Sequence, residues 1–220
     1  MIYKVLEEGS WSDEKCFVIG GGPSLIGFDF NRLKDKGRII AVNKAYYDVP
    51  FADVLIGMDP SFFRWADTGK LEKPPLGEKY RAAFRDFQGH KIIIADPPVR
   101  IPKNVYLINR IKQPKWSTSL KEGLYTGNNS GAGALAFALI MGCDPIYLLG
   151  IDGRHTKKAH YHSGYPNRAQ TPKTAKSFIK HFEYLGREAK KKKISIYNCS
   201  MISSVNCFER KTIEEVINNG

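Results

Sequence analysis

The sequence predicts an α/β protein: an open, mostly parallel sheet with helices on both faces and a small lid or insertion. Three observations carry that prediction. Short apolar runs rich in Ile, Val and Leu recur along the chain, alternating with helix-like or polar stretches. The first of these runs stops at a glycine turn, Gly20-Gly21-Gly22-Pro23-Ser24. Three of the runs lead into a polar residue, Asn43, Asp59 or Asp152, at the strand end where an open parallel sheet collects its ligands.

Taken in order, Lys15–Ile19 is a strand that enters the glycine turn. A helix-like stretch over Phe30–Asp35, ended by Gly37, precedes a second strand at Arg38–Val42, and a third follows at Val54–Met58. Lys91–Ala95 and Val105–Ile108 continue the series, with Asp96-Pro97-Pro98 breaking the chain between them. Residues 65–90 are polar and proline-bearing, with a short helix over Tyr80–Phe87, and read as an insertion or lid over one end of the sheet.

Ser130–Met141 is apolar on every face and rich in small residues, which predicts a buried central helix feeding a central strand at Pro145–Leu149. The polar stretch after Asp152, residues 153–172, reads as an active-site loop. Phe178, Ile179, Phe182, Leu185 and Ala189 recur at helical spacing within Thr174–Lys192, whose basic end suits a helix C-terminus. A strand at Ile194–Tyr197, a small-polar loop over Asn198–Asn206 and a helix at Thr212–Asn218 capped by Thr212 complete one domain over residues 1–220.

With 42% hydrophobic and 25% charged residues, fibrous, collagenous and wholly disordered classes are excluded. No apolar run approaches the roughly 18 to 20 residues needed to cross a bilayer, and the start lacks a basic cap followed by an apolar stretch. The expectation is a cytoplasmic protein with no membrane span. Thirty-four Lys and Arg against 22 Asp and Glu leave a formal charge of +12, which favours anionic partners: nucleotides, phosphosugars, anionic glycans or nucleic acid. Cys16, Cys143, Cys199 and Cys207 form no Cys-x-x-Cys pair and read as free thiols.

Four constellations could carry chemistry. In the first, Gly20, Gly21 and Gly22 let the backbone approach a ligand closely and Ser24 adds a hydroxyl, although the fingerprints of dinucleotide sites and P-loops are absent. The second is the set of strand-end residues Asn43, Asp59 and Asp152, able to bind ribose hydroxyls, a base edge or a metal. The third is Thr126–Gly131, where Asn129, Ser130 and Gly131 open the apolar helix; it serves as an anion or nucleotide site or as ordinary N-capping. The fourth is the loop holding His155, His160 and His162 with Arg154, Lys157, Lys158, Tyr161 and Tyr165. A histidine base suits that loop better than zinc, because no cysteine pair accompanies the histidines.

These residues together resemble the bacterial sialyltransferases of the lipooligosaccharide type, along with the related uncharacterised and pterin-diphosphokinase-like proteins that share a Rossmann-like domain. The resemblance runs through most of the chain. It rests on Gly20-Gly-Gly-Pro-Ser-Leu25 with Asp29 and Arg32-Leu33, on Val42-Asn43, and on Asp53-Val54 leading to Asp59. Ser130-Gly131, the run Ile146–Asp152 and His160-Tyr161-His162 complete it.

The resemblance implies a glycosyltransferase in which Gly21, Gly22, Ser24, Asn43, Ser130 and Gly131 hold a nucleotide-sugar donor, with a CMP-linked donor favoured. His162, or His160 as its rival, would deprotonate the acceptor hydroxyl, and Asp152 would orient substrate or base. The sequence departs from the family after Ile151-Asp152, where Gly153-Arg154-His155 stands in place of aromatic residues. Arg154, Lys157 or Lys158 would then have to stabilise the departing phosphate. The implied acceptor is an anionic glycan or another hydroxyl compound, and a homo-oligomer follows from resemblance alone. Two further readings stand beside this one. Diphosphoryl transfer from ATP would place Mg²⁺ on Asp59 and Asp152, and a non-catalytic nucleic-acid-binding protein would explain the charge.

Overall fold

The computed structural model describes residues 5–153, 160–162 and 172–218. Among them the sheet has nine strands: β1 (Cys16–Ile19), β2 (Arg38–Val42), β3 (Val54–Gly57), β4 (His90–Ala95), β5 (Val105–Ile111), β6 (Leu124–Tyr125), β7 (Ile146–Leu149), β8 (Ile196–Asn198) and β9 (Glu209–Arg210). They lie in the order β6-β5-β4-β3-β2-β1-β7-β8-β9, and every described pair is parallel. Five helices accompany them: α1 (Pro60–Thr68), α2 (Leu76–Asp86), α3 (Ser130–Ile140), α4 (Pro172–Lys191) and α5 (Ile213–Asn218).

Each central strand is buried on both faces, which is why its sequence reads as a continuous apolar run. Cys16, Val18, Ile40, Val42, Ile56 and Leu148 face one core with α3 and with Phe182, Leu185 and Ala189 of α4. Phe17, Ile19, Ile39, Ala41, Leu55 and Leu149 face the other, with Phe62 and Phe63 of α1, Phe84 of α2 and Val216 of α5. Helix α3 needs its small residues because it lies close under the sheet. A Cβ added to Gly133 would come within 2.9 Å of Ile94 Cδ1.

Helix starts follow capping chemistry. Asp59 accepts the Ser61 N–H at 2.8 Å with Pro60 in the first turn, and Asn129 accepts the N–H groups of Gly131 and Ala132 at 2.8 and 3.2 Å. Thr212 Oγ1 accepts the Glu215 N–H at 3.2 Å while Glu215 Oε2 accepts the Thr212 N–H at 2.6 Å, a capping box at the start of α5.

Several local expectations are corrected. The stretch expected to be helical over Phe30–Asp35 is a 3-10 turn over Phe30–Leu33, capped by Asp29, and Asp35 has the positive φ of 60° that ends such a turn. Helix α1 was not foreseen, nor were the two-residue strands β6 and β9. The last long strand starts at Ile196 rather than Ile194, because α4 is followed by a turn with Lys193 at a φ of 61°. All four cysteines are free. No helix among the described residues is long and apolar enough to cross a membrane.

Candidate functional site

Strand order reverses at β1. The chain moves away on one side through β2 to β6 and resumes on the other with β7. The loops after β1 and β7 meet at their carboxyl ends, the side of an open α/β sheet where ligands bind. A cleft of ≈ 1380 Å³ lies there, lined by Gly20–Gly22, Asn43, Asp59, Asn129–Gly131, Asp152, His160 and His162, and on its other side by the wall running from Ser61 through Trp65 to Pro74. Strand ends thus bring together nearly all of the residues singled out in the sequence. Ser24 stands behind the turn, and Arg154, His155, Lys157, Lys158 and Tyr165 lie outside the described residues.

Gly20 and Gly22 are required by a close approach to backbone, and Gly21 leaves space for the histidine rings. The Gly20 N–H donates to Leu149 O (2.7 Å) and the Gly22 N–H to Gly150 O (2.8 Å), so the turn stays pressed on the end of β7. A Cβ on Gly20 would meet Gly150 O at 2.5 Å, and one on Gly22 would meet Asp152 Cγ at 2.5 Å. At Gly21 it would lie 3.0 Å from His162 Nε2 and 3.1 Å from His160 Nδ1.

Asp152, 4% exposed, clamps this turn. Its Oδ2 accepts the Ser24 N–H at 2.9 Å and its Oδ1 accepts the Ser24 hydroxyl at 2.6 Å. A layer behind it holds the aspartate: Ser203 Oγ donates to Ile151 O (2.8 Å), the Ser204 N–H to Asp152 O (2.7 Å), and buried Asn198 Nδ2 to Ser203 Oγ (3.0 Å). Arg210 ties the same loop through Ser203 O at 2.6 Å. The small-polar loop expected over Asn198–Asn206 is thus a hydrogen-bonded support for Asp152. The signal in it is the group of Asn198, Ser200, Ser203 and Ser204, residue types whose side chains readily bond nearby backbone.

The histidine segment docks on the glycine turn. The Tyr161 N–H donates to Gly21 O at 2.9 Å, so His160 and His162 project to the same side of the extended chain, their rings 5.2 Å apart and within 5° of parallel. Tyr161 points the other way, its hydroxyl donating to Asp48 Oδ2 at 2.8 Å and its ring 5.5 Å from that of Phe30. Burial pushes the His160 pKa below its ordinary value; a backbone hydrogen bond with Gly21 opposes this, and the charge of Lys44 adds to it. Burial thus favours the neutral imidazole of His160 over its protonated form.

Asn43 sits at the end of β2 with a φ of 53°, and its Oδ1 is buried with no hydrogen-bond partner among the described residues. It lies over Gly57, where a Cβ would come within 2.7 Å of that oxygen. An orphaned acceptor in a cleft wall fits a ligand hydroxyl or amine. Lys44, next in the chain, is a residue the sequence reading missed. It is 1% exposed, its Nζ is 2.6 Å from Glu72 Oε1 and 4.5 Å from the centre of the Tyr80 ring. Burial lowers its pKa, while Glu72 and Asp48 hold it up.

Two expected ligand groups are engaged in local structure. Asp59 caps α1 and Asn129 caps α3, leaving Ser130 and Gly131 at that helix start to face the cleft. Among the described residues, no group of three or more His, Cys, Asp or Glu could hold a metal ion.

A parallel sheet with its cleft at the strand-order reversal defines the class of open α/β folds that bind ligands at strand carboxyl ends. Within that class the chain has the fold of the sialyltransferase-like glycosyltransferases. No family model and no curated protein matches it, so the likeness rests on solved structures. The monofunctional α-2,3-sialyltransferase Cst-I from Campylobacter jejuni is 14% identical, with a TM-score of 0.57 over 94% of this chain and 82% of that one. Sialyltransferase CstII from the same organism, in complex with the substrate analogue CMP-3FNeuAc, is 16% identical, with a TM-score of 0.56 over 90% and 86%. The MAf glycosyltransferase of Magnetospirillum magneticum AMB-1 is 19% identical, with a TM-score of 0.54 over 93% of this chain but 34% of that one. The chain thus spans about a third of that protein's length.

Proposed function

We propose that this protein is a glycosyltransferase of the sialyltransferase-like kind, taking a sugar from a nucleotide-activated donor, with CMP-linked donors favoured, and passing it to an acceptor hydroxyl. The observation that carries this reading is the pair of stacked imidazoles lying against Gly21 at the strand-order reversal. That position suits a base beside a donor, and the small residues of the turn let a ligand approach the chain closely.

In this reading Gly20–Gly22, Ser130 and Gly131 cradle the nucleotide and Asn43 Oδ1 accepts from its ribose or base. Asp152 acts through Ser24, holding the turn in shape, and is a positioning residue. His162, or its neighbour His160, takes the proton of the acceptor hydroxyl as that oxygen attacks the anomeric carbon. The bond from the anomeric carbon to the phosphate oxygen breaks, and its electron pair leaves with the nucleoside monophosphate. Arg154, with Lys157 and Lys158, is assigned to the charge of that leaving group.

The test is a thermal-shift panel of CMP, CDP, UDP, GDP, ADP and ATP with and without Mg²⁺, since a ligand that binds only the folded state raises the melting temperature. Stabilisation by CMP without metal is expected. Selective stabilisation by ATP with Mg²⁺ would replace this reading with diphosphoryl transfer. With a CMP-linked donor, His162→Ala and His160→Ala should retain the CMP response, and the variant that removes the base should lose about 10²–10⁴-fold in transfer rate. Unchanged turnover in both would remove the histidine from the mechanism.

A further inference from the structure

Helix α1 has two faces. Phe62, Phe63 and Ala66 are buried in the core, whereas Ser61, Trp65 and Thr68, at i, i+4 and i+7, form one stripe that lines the cleft. On that stripe the Trp65 indole is 41% exposed. On that wall, between Ser61 and Thr68, the indole offers an aromatic face that a ligand in the cleft can cover.

The wall is rigid. Gly69 ends α1 at a φ of 75°, and the Lys70 N–H closes the turn on Trp65 O at 2.9 Å. The loop beyond is pressed on Gly77, where a Cβ would lie 2.2 Å from Gly69 O and 2.4 Å from Glu72 O. Its carboxylates are also committed: Glu72 to buried Lys44, Glu78 to Arg81, and Asp59 to the start of α1. Lys70 and Lys73 line the same cleft, are exposed, and enter no ion pair among the described residues. The rim beside Trp65 therefore presents two cations, Lys70 and Lys73, that are in no ion pair among the described residues, next to an aromatic floor. The cleft also exceeds the roughly 300–1,000 Å³ of a pocket for one drug-sized ligand, leaving room beside a donor.

We propose that the α1 wall is the acceptor subsite, with Trp65 as the platform on which a pyranose ring stacks and Lys70 and Lys73 as the selectors of an acidic sugar bearing a carboxylate or sulfate. The proposal rests on the glycosyltransferase reading for what shares the cleft, but its recognition chemistry is independent of the donor. Sugar C–H faces pack on an indole, and two cations beside it favour an anionic ring over a neutral one.

The probe is an array of immobilised pyranosides ending in neutral, carboxylated or sulfated sugars, read with labelled protein in saturating CMP. The wild type should bind acidic sugars at least about fivefold better than neutral ones. Trp65→Ala should weaken that binding about tenfold and Trp65→Phe much less. Lys70→Ala with Lys73→Ala should erase the preference for charge, and all variants should keep the CMP thermal shift. Wild-type protein that binds no sugar, binds neutral sugars equally well, or loses nothing in Trp65→Ala overturns the subsite. Trp65-dependent sugar binding without any CMP response would instead overturn the donor reading and leave the platform standing.

Discussion

The two ends of the sheet differ in how their polar groups are satisfied. At the amino ends of the strands the polar groups are matched: Arg38 bonds Glu14 through Nε (2.8 Å) and Nη2 (2.9 Å) and Asp53 through Nη1 (3.1 Å), while Asp53 Oδ2 accepts the Ile39 N–H at 2.8 Å. At the carboxyl ends the chain is tight yet unfinished. Three glycines are squeezed against neighbours, Asn43 and Gly150 take positive φ, an amide oxygen is orphaned and a lysine is buried. Squeezed glycines, positive φ and a buried lysine occur at the amino ends as well, at Gly37, Gly89, Asp35 and Lys91, so what separates the ends is the unsatisfied acceptor, Asn43 Oδ1, which a ligand can answer; in this reading it marks the end that works, and the matched polar groups mark the end that holds.

The largest way to sharpen that contrast is Gly22→Ala. The new methyl group would meet both Asp152 and the Gly150 carbonyl, neither of which can move without opening the turn. A loss of about 3 kcal/mol in urea unfolding is expected, together with loss of the nucleotide thermal shift. A stable Gly22→Ala protein with its nucleotide response intact would show that the turn is not the ligand's seat. Asp152→Asn comes next. It replaces one of the two acceptors of Ser24 with a donor and should cost about 2 kcal/mol while weakening CMP binding. Unchanged CMP binding there would confine Asp152 to stability.

How much of this was legible follows from where each signal resides. Strands such as Arg38–Val42 were readable because burial on both faces writes the element into a continuous apolar run, and α3 because it is apolar all round. Helix α1 was missed because it is only nine residues long and its stripe toward the cleft carries Ser61, Trp65 and Thr68. The strands β6 and β9, two residues each, exist through their neighbours. In the site, the glycine turn and Asp152 stood out because both close apolar runs. Lys44 did not, since its partner Glu72 is 28 residues away and only the folded chain joins them. The same holds for Asn198 and Ser203, whose purpose is visible only once Ile151 and Asp152 lie beside them.

Acidity separates the ends more gently. His160 has its pKa lowered by burial, so the unfolded chain takes up its proton at a higher pH than the folded one. Its share of stability is complete above about pH 6.5 and is lost as pH falls toward the folded value. The melting temperature of the wild type should therefore drop more steeply than that of His160→Gln as pH is lowered through this window. Parallel curves for the two proteins would show that the imidazole is not shielded.

The smallest effect is expected at the amino end. Arg38 lies over Trp11, 5.2 Å from the centre of its ring, but its side chain is 35% exposed and those of Glu14 and Asp53 are 42% and 30% exposed. Solvent and salt screen such pairs, so Arg38→Met, which keeps the packing on Trp11 and removes the charge, should cost about 1 kcal/mol or less. Asp53 keeps its backbone partner at Ile39, so no carboxylate is stranded. The midpoint in urea should shift slightly, the shift should shrink in high salt, and the CMP response should be that of the wild type. An Arg38→Met protein that lost nucleotide binding would mean that the two ends communicate through β1 and β2, and the division between holding and working ends would fail.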